Sequence, residues 1–248
     1  MIKKIAKSID GISSFLLSNV TNSRKTFYEL DRISYKESAQ LIHDQGAGAV
    51  LLDRKDQFWI HALNNIPAEG SLLEFGVFQG NSINFFSEVL QGKNDQRKIY
   101  GFDSFEGLSE DWSGTSMVKS TFDMKGNLPK VHANVVLIKG WIDKTLPPFI
   151  ENNLKEANKI AFMHIDMDTY SPTKLIFEET VPHLQPGCII VFDELLGYPG
   201  WRDNEYKALM ECIAPKWTFE FISFCEPRSK NRNTSKYIRA AIKIKGKK

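Results

Sequence analysis

The sequence lacks the features of a secreted, disulfide-stabilised or membrane-spanning protein. Its three cysteines, Cys188, Cys212 and Cys225, follow no metal-ligand or redox spacing, and their odd number argues against a disulfide framework. No stretch is long and apolar enough to cross a bilayer, and "ISSFLLSNV" is too short and too polar for the core of a signal peptide. We therefore expect a cytoplasmic protein without a membrane span.

The sequence also lacks an excess of charge of either sign. Its 32 basic and 30 acidic residues leave a net charge of +2, which gives no reason to expect nucleic acid as a partner. The basic ends, Lys3-Lys4 and the terminal "KIKGKK", are interpreted as solvated tails. The apolar content of 42% is enough for the 248 residues to bury a substantial core, most simply that of one large α/β domain.

Short apolar runs alternate with longer mixed segments, a pattern typical of parallel strands joined by crossover helices. It predicts strands at 71–76, 98–103, 134–138, 160–166 and 188–193, and helices at 81–91, 171–184 and 204–213, the first of them capped by Asn81 or Ser82. The alternating runs "WTFEFISF" and "KYIRAAIKI", joined by the polar loop "CEPRSKNRNTS", predict a final antiparallel hairpin. The expected fold is a doubly wound, Rossmann-like α/β sheet of seven strands.

Two segments lie outside this regular alternation. Residues 1–70 form a mostly helical N-terminal extension, which we interpret as a lid or as a surface for homo-oligomer formation. Residues 108–131, rich in Gly, Ser, Asp, Lys and Met, predict a long loop or lid, and loops of that length in a compact domain are commonly functional. The sheet domain itself is expected at 71–248.

The first turn of the predicted sheet, within "LLEFGVFQGNSINFF", lacks the middle glycine of a dinucleotide-binding turn. Phe78 covers backbone that a pyrophosphate would have to approach closely. Asp103, at the end of the next strand, can accept both ribose hydroxyls of either a dinucleotide or S-adenosylmethionine (SAM). Asp103 fits either cofactor. SAM carries no phosphate, however, so a turn that lacks the middle glycine favours SAM.

Acidic residues recur where the predicted strands end, and in open α/β sheets ligands bind beyond these ends. One such residue is commonly just a turn residue, but a whole rim of negative charges would repel unless a cation lay among them. Carboxylates are hard oxygen ligands, so the expected ion is Mg²⁺, or else Ca²⁺ or Mn²⁺. The acidic residues of the rim are Glu74, Asp103, Asp166, Asp168, Asp193 and Glu194.

Five segments together resemble a known family, the class I SAM-dependent O-methyltransferases related to the macrocin and mycinose sugar methyltransferases. They cover roughly residues 71–209 and occur in the same order and at similar spacing as in that family. The segments are "LLEFGVFQGNS", "GFDSFEGL", "VVLIKGWIDKTLP", "HIDMDTYSPTK" and "LQPGCIIVFDELLGYPGWRDNEYKAL".

The resemblance implies a SAM site around the first turn and the end of the second strand. Gly76 and Gly80 would shape the turn around the methionine end, Ser82 would reach the methionine carboxylate, and Asp103 would hold the ribose. Trp141 would lie near the adenine, although a tryptophan there is equally compatible with the core. The implied cofactor residues are Glu74, Gly76, Gly80, Ser82, Asp103, Ser104, Phe105 and Trp141.

The resemblance also implies a divalent cation held by Asp166, Asp193 and Glu194. In the family the last of these positions is a second Asp, so the longer side chain leaves the coordination geometry and metal preference open. Methyl transfer to a hydroxyl also needs a base for the proton. Asp168 is the expected general base, and His164 in the same segment is the alternative.

The implied acceptor is a hydroxyl of a sugar or of a glycosylated small molecule. Tyr198 and Trp201 would offer stacking surfaces to it and Glu205 a polar contact, although aromatic residues in such a loop commonly pack locally. Three alternatives stay open: a SAM methyltransferase with another acceptor, such as a lipid-linked saccharide or a small phenol; a nicotinamide-dependent oxidoreductase; and a non-catalytic binding protein on the same sheet.

Overall fold

The computed structural model describes residues 25–154, 158–226 and 237–248, and it contains one eight-stranded sheet with helices on both faces. The strands are β1 (Val50–Leu52), β2 (Ser71–Phe75), β3 (Ile99–Asp103), β4 (Val135–Lys139), β5 (Ile160–Ile165), β6 (Leu184–Leu196), β7 (Trp217–Cys225) and β8 (Ile238–Lys247). The helices are α1 (Lys25–Gln45), α2 (Lys55–Asn64), α3 (Asn81–Gly92), α4 (Ile142–Asn153), α5 (Tyr170–Thr180) and α6 (Glu205–Ala208). The predicted α/β class is confirmed.

The strand order is β1-β7-β8-β6-β5-β2-β3-β4. Strands β2 to β6 pair in parallel with their neighbours among themselves, whereas β8 is antiparallel to both β6 and β7. The antiparallel ending is therefore confirmed. The count of seven strands is corrected to eight, because the N-terminal extension supplies β1, which pairs in parallel with β7. Three residues are too few for an alternating pattern to reveal a strand.

Several element boundaries differ from those predicted. Strand β6 runs well beyond 188–193, because its C-terminal part pairs with β8. The helix predicted at 171–184 ends at Thr180 and continues as a 3₁₀ turn, and the one at 204–213 is a short α-helix followed by a π-helical turn. The residue that caps α3 is Gly80, in the left-handed conformation, rather than Asn81 or Ser82.

The C-terminal "KIKGKK" is also corrected, since it belongs to β8 up to Lys247 and is not a free tail. Other predictions fall on residues outside the described part of the chain: Lys3-Lys4, "ISSFLLSNV" and most of the loop "CEPRSKNRNTS". The long segment 108–131 contains neither a helix nor a strand, and one isolated bridge, Glu106 to Asp123, closes it near its start.

The core lies on both faces of the sheet, as expected where crossover helices cover parallel strands. One face is centred on Phe75, Phe102 and Phe177, and the other on Phe58 and Phe86. The three cysteines are buried and free, which agrees with the absence of a disulfide framework. None of the helices in the described part of the chain combines the length and apolarity that a bilayer crossing requires.

The chain order reverses between β2 and β5, which makes that point the topological switch of the sheet. Strands β3 and β4 extend from β2 on one side, and β6 extends from β5 on the other. A crevice opens beyond the carboxyl ends of the strands at such a switch point, and ligands of doubly wound sheets bind there.

Candidate functional site

A cavity of about 440 Å³ occupies the switch point. Its walls come from the turn after β2, the ends of β3 and β5, the start of α5 and the segment 108–131. The lining is mostly apolar and aromatic, with a small group of carboxylates at one end, a combination typical of binding sites for organic ligands. The lining residues used below are Gly76, Phe78, Asp103, Ser104, Trp112, Phe122, Trp141, Asp166, Asp168, Glu194 and Tyr237.

The turn after β2 is held by Asp103. One oxygen of its carboxylate accepts the backbone N–H groups of Val77 (2.8 Å) and Phe78 (2.7 Å), and the other accepts that of Phe105 (2.6 Å). Phe78 and Phe105 both have positive φ, a conformation that costs energy in residues other than glycine and that clusters at functional sites. Asp103 thus fixes the turn, and its carboxylate, which also lines the cavity, keeps one lone pair free on the oxygen that accepts the Phe105 N–H.

Gly76 is required in this turn for two reasons. Its φ is +88°, and a Cβ built there would lie 1.9 Å from the backbone oxygen of Asp166. Any side chain would therefore push the end of β2 away from the end of β5. The predicted glycine brings the cofactor turn and the carboxylate segment into backbone contact.

The other predicted cofactor residues lie at different depths. Ser104 and Trp141 line the cavity, and Trp141 is 37% exposed. Phe105 is buried in the core beneath the turn. Glu74 and Ser82 are also buried, and the Ser82 hydroxyl donates a hydrogen bond to Glu74 rather than into the cavity.

A buried chain of charges runs from Glu74 across the sheet to β8. The ring nitrogens of His164 lie 3.3 Å from Glu74 Oε1 and 3.7 Å from Asp193 Oδ1, outside hydrogen-bond geometry, so they form ion pairs only. Arg239 then donates two hydrogen bonds, of 2.7 and 2.6 Å, to the two oxygens of Asp193. Negative and positive groups alternate along this chain.

The pKa values follow from this alternation. Burial by itself would lower the pKa of His164, but Asp193 and Glu74 outweigh it and raise that pKa to about 10. Burial would likewise raise the pKa of Asp193, but His164 and Arg239 hold it well below its usual range. Burial dominates at Glu74 and raises its pKa. His164 lies in this series of alternating charges and does not line the large cavity, whereas Asp168 does line it.

A second group of carboxylates, Asp166, Asp168 and Glu194, faces the cavity. Oxygens of the three lie within 4.8 Å of one another, and no lysine or arginine forms an ion pair with them in the described part of the chain. Glu194 Oε2 is buried without a hydrogen-bond partner there. Asp168 has a φ of +64°, another strained position at the site. We refer to these three residues as the open cluster.

Burial and mutual repulsion raise the pKa of every carboxyl in the open cluster. The pKa of Asp166 rises to about 7, through burial and then repulsion from Asp193. Burial also leads at Asp168 and Glu194, followed by the charges of Asp166 and Asp193 respectively. Such a group can accept a proton near neutral pH or bind a cation, since either removes the repulsion.

The predicted metal set was Asp166, Asp193 and Glu194, and the structure groups the carboxylates differently. Asp166 and Glu194 are together with Asp168, whereas Asp193 groups with His164 and Asp166 and has both oxygens bonded to Arg239. A cation beside Asp193 would therefore lie close to two positive groups. In the open cluster, Asp166 lies near these positive groups, but no ion pair of lysine, arginine or histidine with the cluster is found in the described part of the chain.

The residues predicted on the acceptor side are buried. Tyr198 and Trp201 are each 1% exposed and do not line the cavity, so neither presents the free ring face that stacking needs. Glu205 is buried as well, where its carboxylate accepts the backbone N–H of Met167 at 3.3 Å. Burial and then the charge of Asp166 raise the pKa of Glu205 to about 8.

Two functional features were missed in the sequence. Trp112 and Tyr237 stack at 5.0 Å between ring centroids and form the aromatic wall near the carboxylates. Trp112 lies in the long loop, where no periodicity marks it, and Tyr237 directly precedes β8, where the alternating pattern predicts a strand but no wall of the cavity. Arg239 could have been identified from the sequence, because it is the one charged residue in the apolar run "YIRAAI". A buried arginine in a strand requires a carboxylate partner.

Comparisons with known proteins agree with this architecture. The family described as "Methyltransferase domain" matches residues 73–195. The "8-demethyl-8-(2,3-dimethoxy-alpha-L-rhamnosyl)-tetracenomycin-C 4'-O-methyltransferase" of Streptomyces olivaceus is 28% identical over 143 residues, which are 50% of this chain and 52% of that protein. The matched segment thus spans about half the length of this curated relative.

Solved structures are similar over a larger share of the chain. The crystal structure of CalS11, a calicheamicin methyltransferase, matches with a TM-score of 0.54 at 23% identity, over 76% of each chain. The structure of the O-methyltransferase NovP matches with a TM-score of 0.46 at 19% identity, over 77% of this chain and 78% of that one. The first of these matches shows a shared fold.

Proposed function

Residues 73–195 belong to the methyltransferase domain family, and from this premise we propose that the protein transfers a methyl group from SAM to a hydroxyl of a sugar or glycosylated small molecule with the help of a divalent cation. One observation carries the proposal. The same cavity that Asp103 borders at one side is bordered by the open cluster at the other. A site for adenosine and a site for a cation and a base thus share one enclosed space.

The residues at the turn suit SAM. Asp103 keeps one lone pair for a ribose hydroxyl, and Phe78 leaves no bare backbone for a pyrophosphate. Gly76 and Gly80 belong to the turn, and Ser104 and Trp141 line the same cavity. With Ser82, and with Glu74 and Phe105 as buried supports, they complete the proposed cofactor set. SAM supplies a methyl already activated on a sulfonium, so the protein must align the acceptor and remove its proton.

The open cluster suits a hard divalent cation, for which Mg²⁺ is the first candidate. Buried carboxylate oxygens without cationic partners are the ligands such an ion prefers, and the unpaired Glu194 Oε2 fits that role. We place the ion between Asp166 and Glu194. When bound, it would lower the pKa of a coordinated hydroxyl. Asp193 keeps free lone pairs beyond its bonds to Arg239 and stays a candidate third ligand.

We propose Asp168 as the base that accepts the acceptor proton while the acceptor oxygen attacks the methyl carbon. Asp168 lines the cavity, and burial raises the pKa of its carboxyl, which makes the carboxylate a stronger base. His164 is a weaker candidate, because its ring is enclosed between Glu74 and Asp193.

The sugar acceptor is proposed from the relative in Streptomyces olivaceus, whose name gives a rhamnosyl substrate. Trp112 and Tyr237 provide an apolar wall on the cluster side of the cavity, where a sugar face or an aromatic aglycone would pack. A phenol or a lipid-linked saccharide would use the same wall. The nicotinamide alternative is disfavoured by Phe78, and a non-catalytic protein would gain nothing from the repulsion in the open cluster.

Transfer of labelled methyl from SAM to a panel of rhamnosyl glycosides and simple phenols tests the proposal, with Mg²⁺ or a chelator present. We expect transfer to the glycosides that falls at least tenfold in chelator. Asp168→Asn should lose transfer but retain binding of S-adenosylhomocysteine, whereas Asp44→Asn on the exposed side of α1 should behave as wild type. Full methyl transfer by Asp168→Asn would rule out Asp168 as the base. A larger thermal shift with NAD than with SAM would rule out a SAM-dependent methyltransferase.

A further inference from the structure

A buried glutamate lies beside the open cluster without belonging to it. Glu205, the first residue of α6, is fully buried, and Oε2 of its carboxylate has no hydrogen-bond partner in the described part of the chain. Among the described residues, no lysine, arginine or histidine forms an ion pair with it. A buried carboxylate without a counter-charge is costly, and buried polar atoms without partners are rare. The stability of the fold therefore does not account for Glu205.

The carboxylate of Glu205 bonds the turn that carries two of the three residues of the open cluster. Its Oε1 accepts a hydrogen bond of 3.3 Å from the backbone N–H of Met167, which lies between Asp166 and Asp168. In the described part of the chain, this is the one hydrogen bond to the backbone of 166–168 from a side chain outside the turn 166–169. The position of Glu205 therefore affects the backbone between the two carboxylates.

This turn has to be held in place, because part of its backbone is unfavourable. Asp168 has a φ of +64°, and strained backbone of this kind persists only where the surrounding structure fixes it. The start of the turn is fixed by the sheet, since the backbone N–H of Asp166 donates to β2 at 2.9 Å. The middle of the turn is fixed by Glu205. Loss of that second contact would leave the direction of the Asp168 side chain less defined.

Glu205 is itself held by its neighbours. The side-chain amide of Asn204 donates a hydrogen bond of 3.2 Å to the backbone oxygen of Ser113, in the long loop. On the other side, Tyr206 packs against the buried ring of Trp201 at 4.8 Å between ring centroids. The segment that was expected to contact the acceptor thus forms a packed support under Glu205, and a side chain on such a support can fix the turn.

We propose that Glu205 is a positioning residue of the methyl-transfer site. Its carboxyl group holds the backbone N–H of Met167 and thereby sets the directions of Asp166, the proposed cation ligand, and of Asp168, the proposed base. This inference rests on the proposed function and adds a residue that acts only through the turn. The competing explanation is a direct effect of its charge, since Glu205 lies close enough to Asp168 for the two charges to interact.

Three substitutions separate the reach of the Glu205 side chain from its charge. Glu205→Gln keeps the reach and an acceptor oxygen but loses the charge. Glu205→Asp keeps the charge but is shorter by one methylene, and Glu205→Leu loses the acceptor altogether. Thermal melts across an Mg²⁺ titration give the dissociation constant of the ion, and labelled methyl transfer from SAM to rhamnosyl glycosides gives kcat.

Glu205→Asp and Glu205→Leu should each raise the dissociation constant of Mg²⁺ about 10- to 100-fold and lower kcat by a similar factor, as removal of a group that orients a metal ligand typically does. Glu205→Gln should stay within about threefold of wild type in both, because its amide oxygen can still accept the N–H of Met167. Glu220→Asp, which shortens an exposed glutamate paired with Lys245, is the matched control and should change neither quantity.

Two results would overturn the positioning role. In the first, the variants melt at lower temperature in chelator while the Mg²⁺ dissociation constant and kcat stay at wild-type values, which indicates a structural role alone. In the second, Glu205→Gln is as impaired as Glu205→Leu while Glu205→Asp resembles wild type, which assigns the effect to charge. Should Glu205→Leu fail to fold, the comparison of Glu205→Gln with Glu205→Asp still decides.

Failure of the proposed function would look different. If wild type binds Mg²⁺ but transfers no methyl group, the proposed reaction fails, and the Mg²⁺ dissociation constants decide the role of Glu205. If wild type transfers methyl without any response to Mg²⁺, the proposed cation fails, and kcat decides. If wild type does neither, both proposals fail.

Discussion

Two groups of buried carboxylates lie side by side at the ends of β5 and β6, and they differ in one respect. In the chain from Glu74 through His164 and Asp193 to Arg239, each negative group has a positive neighbour. In the open cluster of Asp166, Asp168 and Glu194, no lysine or arginine of the described chain forms such a pair. Of these carboxylates only Asp166 is partly exposed, so the main difference between the groups lies in their partners.

This difference distinguishes the carboxylates that are paired within the fold from those that are available to a ligand. Burial of an ionised group costs several kcal/mol unless a counter-charge compensates it. The first group is compensated by the chain itself, which lowers the pKa of Asp193. In the second group, burial and then repulsion from neighbouring carboxylates raise the pKa of each member. We therefore propose that the first set of carboxylates is structural and that the second takes up a cation or a proton.

The largest expected effect comes from breaking the compensated group. Arg239→Met should lower the free energy of unfolding by about 3–5 kcal/mol, because Asp193 would stay buried with His164 as its only positive neighbour. Urea denaturation followed by circular dichroism measures this. Arg202→Met, which removes an exposed pair with Glu37, should cost less than about 1 kcal/mol. Equal losses in the two variants would contradict a structural role for Arg239.

A divalent cation should act on the other group. Mg²⁺ at about 100 times its dissociation constant should stabilise the wild-type protein by about 2.7 kcal/mol, since it binds the folded state only. Thermal melts across an Mg²⁺ titration, with a chelator as reference, measure the shift. Asp166→Asn should remove the stabilisation by Mg²⁺, whereas Asp44→Asn should retain it. A response that survives in Asp166→Asn would place the ion elsewhere.

Ser82→Ala tests the start of the compensated chain. The variant removes the hydroxyl that donates to Glu74 and should cost about 1.5 kcal/mol, the usual value for a hydrogen bond to a charged group. Ser34→Ala, whose hydroxyl bonds only a backbone carbonyl within α1, should cost less than about 0.5 kcal/mol in the same urea experiment. A neutral Ser82→Ala would mean that Glu74 does not depend on that hydroxyl.

The smallest expected effect has the opposite sign. In chelator, Glu194→Gln should raise the free energy of unfolding by about 1 kcal/mol, because it removes one charge from a cluster of like charges. The gain should disappear when Mg²⁺ is added, since the variant loses a ligand. Glu220→Gln, in an exposed pair with Lys245, should change stability by less than about 0.5 kcal/mol. A destabilised Glu194→Gln in chelator would show that the cluster is compensated after all.

Much of the architecture could be predicted from the sequence, because it depends on local patterns. The five parallel strands, α3 and the antiparallel ending follow from apolar periodicity, and the glycine at 76 from the needs of a tight turn. Strand β1 could not be predicted, since its three residues gain their conformation from pairing with β7. The resemblance implies an acceptor-side position for Tyr198 and Trp201, but the sequence does not distinguish an exposed ring from a buried one, and both rings are buried.

The sequence by itself determined that this chain forms a doubly wound sheet with acidic residues at the ends of its strands. Only the tertiary structure decided which of those residues are paired. Arg239 is separated from Asp193 by 46 positions and meets it because β8 inserts between β6 and β7. Charge compensation acts over a few ångströms, whatever the separation along the chain. That distance pairs Asp193 with Arg239, whereas Asp166, Asp168 and Glu194 form no ion pair with lysine or arginine in the described part of the chain.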